Sequence, residues 1–162
     1  MISKEKIQAD KAMRKIEFRG KGLSGGLYDG VWLFGDLVQD NRGGCYVYPS
    51  DCDGLWKENR VDPKSVGQYT GLKDKNGTKI YDGDLLRFPA KDRYEKDNYV
   101  LYEVFWHDND CASNHIGWQM NRLHFQGALC GIDTGLVTFL PKYVNKMEVI
   151  GNVYDNKYLL KR

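Results

Sequence analysis

Apolar and polar residues alternate with a period of two over short stretches of this chain, and glycine, proline or Asn/Asp clusters close each stretch. That pattern predicts strands. The first starts at Ile16-Glu17-Phe18, and Val31 to Val38 (VWLFGDLV) is a second. Gly35 interrupts the second strand where a bulge or a close backbone approach is expected. Gly44 to Tyr48 is a third, ended by Pro49, and Leu55-Trp56 starts another after the turn Ser50 to Gly54. Asp62-Pro63-Lys64-Ser65-Val66 reads as one helical turn, with Asp62 as cap and Pro63 at the first position.

The strongest local signal is QYTGLKDKNGTKIYDGD, Gln68 to Asp84. Asn76-Gly77 predicts a hairpin with a two-residue type I′ turn, because both residues accept positive φ, and the hairpin brings Tyr69 towards Tyr81. Asp82-Gly83-Asp84 then reverses the chain into Leu85 to Phe88. Tyr99 to Trp106 (YVLYEVFW) is apolar on both faces and predicts a central strand. Shorter strands are expected at Ile116 to Met120, Leu136 to Leu140 and Met147 to Val153, the last closing the sheet back on its beginning. Short strands joined by tight turns predict a mainly β fold, with a small SH3-like barrel in the C-terminal two-thirds and additional N-terminal strands. The organisation expected is a flexible tail over 1–15, an N-terminal β subdomain over 16–66 and a barrel-like domain over 67–162. Ile2, Ile7 and Met13 are too sparse to give the tail a core-facing helical stripe.

Composition supports strands. Aromatics make up 13% of 162 residues, eighteen glycines supply turns, and a chain of this length buries a core without staples. A net charge of +2 falls short of the strongly basic balance of a dedicated nucleic-acid domain. The charged N-terminal stretch has no continuous apolar run, which predicts neither signal peptide nor membrane anchor and places the protein in the cytoplasm. Cys45, Cys52, Cys111 and Cys130 form no CxxC pair and are expected to be reduced packing residues.

Several chemical motifs match formally and fail on context. Gly20 to Gly25 fits GxGxxG, but Gly25, Gly26 and Gly30 leave no room for the helix that a dinucleotide fingerprint requires, so the glycines supply a turn. Asp51, Asp53 and Gly54 resemble the start of a calcium loop, yet Leu55 stands at the fifth position and the closing Glu is missing. Asp82, Asp84 and Glu103 offer carboxylates for acid-base work, though turn formation and strand polarity account for them. There is no GxSxG elbow and no Cys-His nucleophile motif.

The blocks Phe18-Arg19-Gly20-Lys21, Trp32 with Phe34-Gly35-Asp36, Val61-Asp62-Pro63, Val66 to Leu72, Lys73 to Gly77, Ile80 to Asp84 and Val149 to Asn156 resemble the YopX proteins of bacteriophages and prophages. The resemblance spans roughly residues 16–160 and is weakest over Asp108 to Gly135. It implies a β-rich fold, a phage or prophage setting within the bacterial host cell, and no catalytic residues to carry over.

Two constellations are candidates for function. Lys73, Lys75, Lys79 and Arg87 gather around the hairpin, together with Lys91 and Arg93, and Tyr81 adds a stacking surface, so this group is the candidate binding site. Asp74, Asp82, Asp84 and Asp92 lie among these cations and point equally to a solvated hairpin. The second constellation is HDNDCASNH, where His107, Asp110, Cys111 and His115 are metal-capable. Their spacing matches no known ligand motif, and a solvated turn accounts for them. The expectation is therefore a non-enzymatic module without cofactor that binds a protein or nucleic acid, away from any membrane. A small metal-dependent hydrolase using the His107 to His115 cluster is one alternative, and a structural or homo-oligomerising protein is another.

Overall fold

The computed structural model describes residues 15–49, 59–89, 99–108, 116–125, 136–139 and 141–160. Eleven strands fall within them, in two antiparallel sheets. The first sheet contains β1 (Phe18–Lys21), β2 (Trp32–Gln39), β3 (Cys45–Tyr48), β4 (Arg60–Val61), β5 (Gly67–Lys73) and β6 (Lys79–Tyr81), in the order β4-β3-β2-β1-β5-β6. The second contains β7 (Asp84–Pro89), β8 (Tyr99–His107), β9 (Gly117–Phe125), β10 (Leu136–Thr138) and β11 (Glu148–Asn152), in the order β10-β9-β8-β7-β11. A short helix α1 (Pro141–Val144) precedes β11, and single 3₁₀ turns lie at Pro63–Ser65 and Lys157–Leu160.

The mainly β class is as the alternation predicts. β8 has neighbours on both sides, as expected of a strand apolar on both faces. The Asp62 side chain accepts the Lys64 N–H and caps the 3₁₀ turn, with Pro63 at its start. A Cβ on Gly35 would lie 1.8 Å from the Tyr48 carbonyl oxygen, so the close approach read from the sequence is real. No helix follows the Gly20 to Gly25 stretch, which runs from β1 into turns before β2. Cys45 is buried and free. The Leu55-Trp56 strand, the Asp51/Asp53 loop and the other three cysteines lie outside the described residues.

The hairpin forms, but by a different turn. Gly77 N–H donates to the Asp74 carbonyl and Asp74 N–H to the Thr78 carbonyl, leaving Lys75, Asn76 and Gly77 as a three-residue loop, with Gly77 at φ 84°. Asp74 accounts for the change. Its Oδ1 accepts the N–H groups of Asn76 and Thr78, both at 2.8 Å, and so fixes the wider loop.

The strand period divides the first sheet into two faces. Leu33, Leu37, Cys45, Val47 and Val61 pack together on one side. Trp32, Phe34, Asp36 and Val38 alternate onto the other, and the register adds Lys21 opposite Trp32, Arg19 opposite Phe34 and Tyr46 opposite Val38. Ile80 of β6 instead joins the main core of Leu86, Val100, Tyr102, Val104 and Met120, with Phe139, Val144 and Met147. The hairpin thus belongs by hydrogen bonds to the first sheet and by its apolar side chain to the core of the second.

Candidate binding site

Glu17, Arg19 and Lys21 occupy alternate positions entering and along β1, so all three point to the outer face of the first sheet. Tyr69 N–H donates to the Glu17 carbonyl, and Tyr69 is paired with Tyr81 across β5 and β6, so both tyrosines join that face. Their ring centroids lie 5.6 Å apart, as the hairpin predicts.

Arg19 is the centre of the arrangement. Its guanidinium lies 4.7 Å from the Trp32 ring centroid and 5.0 Å from that of Tyr81. Held between rings, it bonds only through its edge. Nη1 meets Asp84 Oδ1 at 2.6 Å and Nη2 donates to the Asp82 carbonyl at 3.0 Å. Nε has no hydrogen-bond partner among the described residues. Both members of the Arg19–Asp84 pair are buried. Asp84 also accepts the Tyr81 N–H at 2.8 Å. Burial outweighs Arg19 and this hydrogen bond and pushes the Asp84 carboxyl up to about 6. Burial raises Asp82 as well, and it raises Glu103, to which Asp82 adds a like charge. Of the three carboxylates noted in the sequence, Asp82 and Asp84 therefore come together beside Arg19 at the seam between the sheets, and Glu103 neighbours Asp82.

Glu17 is the second focus. Its carboxylate accepts Lys79 Nζ at 2.7 Å on both oxygens, Lys15 Nζ at 2.7 Å, and the Tyr81 hydroxyl. Burial alone would raise its pKa, but these donors outweigh it and hold Glu17 at about 2. Burial and the neighbouring Glu17 raise Tyr81 well above the ordinary phenol value. A third cluster holds the C-terminal block against β1 and β2: Asp155 pairs with Lys21 and accepts Trp32 Nε1–H at 2.7 Å and Asn152 Nδ2–H at 3.1 Å. Tyr154 packs 5.9 Å from Trp32.

Between these clusters opens a cleft of about 330 Å³, lined by Glu17, Arg19, Phe34, Thr78, Lys79, Tyr81, Asp84 and Val149. Glu17 and Tyr81 are shifted away from neutrality in opposite directions, so neither exchanges a proton near pH 7. Asp84 titrates closer to neutrality but is 1% exposed and tied to Arg19. Fixed charges beside aromatic walls suit recognition.

The structure divides the basic group named from the sequence. Lys79 and Tyr81 line the cleft. Lys75 and Arg87 converge instead on Glu148 of β11, at 2.8 and 2.9 Å, and hold its carboxyl down at about 2. Lys73 is exposed opposite Lys79. Lys91, Arg93, Asp110, Cys111 and His115 lie outside the described residues, and His107 ends β8. Among the described residues no group of three or more His, Cys, Asp or Glu is placed to hold a metal ion. Glu17, Arg19 and Phe34 were missing from the sequence-based candidates. Their signal was the alternation of charged residues at 17, 19 and 21 in a strand that must bury one face.

This is a mainly β protein of two antiparallel sheets with a cleft lined by charged, aromatic and aliphatic side chains from both. It belongs to the YopX protein family, whose model matches residues 36–161. The match begins within β2, so Glu17, Arg19, Lys21, Trp32 and Phe34 precede it, and the resemblance from residue 16 extends beyond the matched range. Among solved structures, the crystal structure of protein EF1440 from Enterococcus faecalis is similar, with 20% identity and a TM-score of 0.52 over 91% of this chain and 99% of that one. At that identity the likeness is one of fold. No curated protein matches the chain.

Proposed function

We propose that the protein is a non-enzymatic binding module, a phage- or prophage-derived accessory protein acting in the bacterial cytoplasm, and that it captures a protein partner on the outer face of the six-stranded sheet. One observation carries this reading. The face pairs its charges internally, Arg19 with Asp84, Glu17 with Lys79 and Lys21 with Asp155, while Phe34 and Val38 stand 46% and 38% exposed on the same side of β2. Nucleic-acid affinity rests on cations free to meet phosphates, whereas protein interfaces favour aromatic and arginine-rich patches with a desolvated centre. The meander β7-β8-β9-β10, with β11 returning beside β7, supports reading the C-terminal sheet as a small SH3-like barrel that serves as a scaffold.

The test is recovery of a partner by tagged full-length protein from prophage-bearing cells, with and without nuclease, alongside the variant Phe34→Asp. A nuclease-resistant partner lost with Phe34→Asp is expected. Recovery that depends on nucleic acid, or no reproducible partner, overturns the reading.

A further inference from the structure

We infer that the cleft between Phe34 and Tyr81 takes an apolar group bearing a carboxylate, as presented by an apolar residue at the C-terminus of a partner chain. This rests on the binding-module reading and names the feature that the site would recognise.

Three observations meet in the cleft. The first is its charge. Arg19 and Asp84 balance one to one, but the single carboxylate of Glu17 faces two ammonium groups, Lys15 and Lys79. Lys79, which lines the cleft with its side chain 37% exposed, shares that carboxylate with Lys15 and can turn to an incoming anion while Lys15 keeps Glu17 paired.

The second is Arg19. This side chain is more than nine-tenths buried and lines the cleft, and its Nε–H lacks an acceptor among the described residues while both terminal nitrogens are engaged. A buried donor without an acceptor costs roughly 1–3 kcal/mol and calls for an explanation. An oxygen of an occupant supplies one. The flanking Trp32 and Tyr81 rings restrict that oxygen to the guanidinium plane, the geometry that carboxylates satisfy.

The third is the wall. Phe34 and Tyr81 sit 5.6 Å apart at 57°, with Val149 also lining the cleft, and Phe34 is 46% exposed. An apolar group seated there would cover that ring. The volume of about 330 Å³ lies at the small end of ligand pockets, the right scale for one side chain with its carboxylate rather than a cofactor. A cationic occupant would have to displace Lys15 or Lys79 from Glu17, and a neutral one would leave the extra ammonium unused.

The experiment uses three probes on the full-length chain, followed by amide and arginine Nε–H NMR: N-acetylphenylalanine, its primary amide, and phenethylammonium. The acid is expected to shift the Arg19 Nε–H and the signals of Phe34 and Tyr81, and to bind roughly tenfold or more tightly than the amide, a margin of about 1.4 kcal/mol. Lys79→Met is expected to erase that margin while leaving the folded spectrum intact, and Lys142→Met, on α1, to preserve it. A peptide ending in phenylalanine that outbinds N-acetylphenylalanine identifies a chain terminus as the source, and equal binding identifies a free acid of the same chemistry. Equal affinity for acid and amide, preference for phenethylammonium, or no response at Arg19 and Phe34 overturns the inference. Such a result with a partner still captured through Phe34 leaves the binding-module reading standing. Loss of the partner while the acid still binds overturns only that reading.

Discussion

Arg19 of β1 and Asp84 of β7 form an ion pair at 2.6 Å across the seam between the two sheets, with neither side chain more than 8% exposed. Removing one partner strands the other charge in the interior, which costs about 3–5 kcal/mol, whereas removing both leaves no orphan. Arg19→Met and Asp84→Leu are each expected to lower unfolding free energy by that order. The double variant is expected to lose less than the sum, with a coupling of a few kcal/mol in a urea-denaturation cycle. Strict additivity would show that the pair contributes nothing beyond its separate contacts.

The same carboxyl sets a pH dependence. Burial raises Asp84 from 3.8 to about 6, so the folded protein holds this proton more tightly than the unfolded chain does. The resulting stability is fully present below about pH 3.8 and is lost as pH rises through about 6, and the raised Asp82 and Glu103 act in the same direction. Glu17 acts oppositely: lowered from 4.5 to about 2, it stabilises above about pH 4.5, and the effect disappears as pH falls through about 2. Thermal melts are expected to show a higher midpoint near pH 5 than near pH 7.5, a difference that shrinks in Asp84→Asn. A flat profile in that window counts against the burial of Asp84.

Tyr81 separates hydrogen bonding from packing. Its ring packs against Phe34 and Tyr69 and lies beside Arg19, while its hydroxyl donates to Glu17. Tyr81→Phe keeps the ring contacts and removes one donor to a charged acceptor, at a cost of roughly 1.5–3 kcal/mol. Because that donor helps to hold Glu17 down, the Glu17 carboxyl is expected to titrate at higher pH in the variant, followed by carboxyl NMR. An unchanged Glu17 titration would show that the lysines alone set its value.

How far the sequence reveals this fold depends on the distance over which each feature is encoded. The hairpin, the Asp62 cap, the buried strand β8 and the tight spot at Gly35 are legible because their causes lie within a few residues. The turn type was misread because Asn76-Gly77 competes with Asp74, whose carboxylate captures two backbone N–H groups and widens the loop. The cleft was legible only in part. Lys79 and Tyr81 stood out beside the hairpin, but the partner that fixes both, Glu17, lies 62 and 64 residues away. Nothing local distinguishes a lysine reaching a buried carboxylate from one in solvent. The division of the basic group, with Lys75 and Arg87 drawn to Glu148, has the same origin in a contact formed only when β11 returns beside β7.

Asp74 is the residue through which the hairpin loop reaches the second sheet. Oδ1 accepts the N–H groups of Asn76 and Thr78 within the loop, and Oδ2 accepts the Val149 N–H of β11 at 3.0 Å. Lys75 N–H adds a bond to the Met147 carbonyl at 3.0 Å, so loop and strand are joined by backbone as well as side chain. Asp74→Ala removes three hydrogen bonds from a residue 6% exposed and leaves backbone donors to find water or go unpaired. A loss of about 2–4 kcal/mol is expected, larger than an exposed turn substitution gives. Hydrogen exchange locates the effect: the Asn76, Thr78 and Val149 amides are expected to lose protection together, because one carboxylate serves all three. Asp74→Asn keeps Oδ1 as an acceptor but places a donor where Val149 N–H points, so it is expected to protect Asn76 and Thr78 while exposing Val149. Uniform loss at all three amides in the Asn variant would show that charge, rather than acceptor geometry, holds loop and strand together.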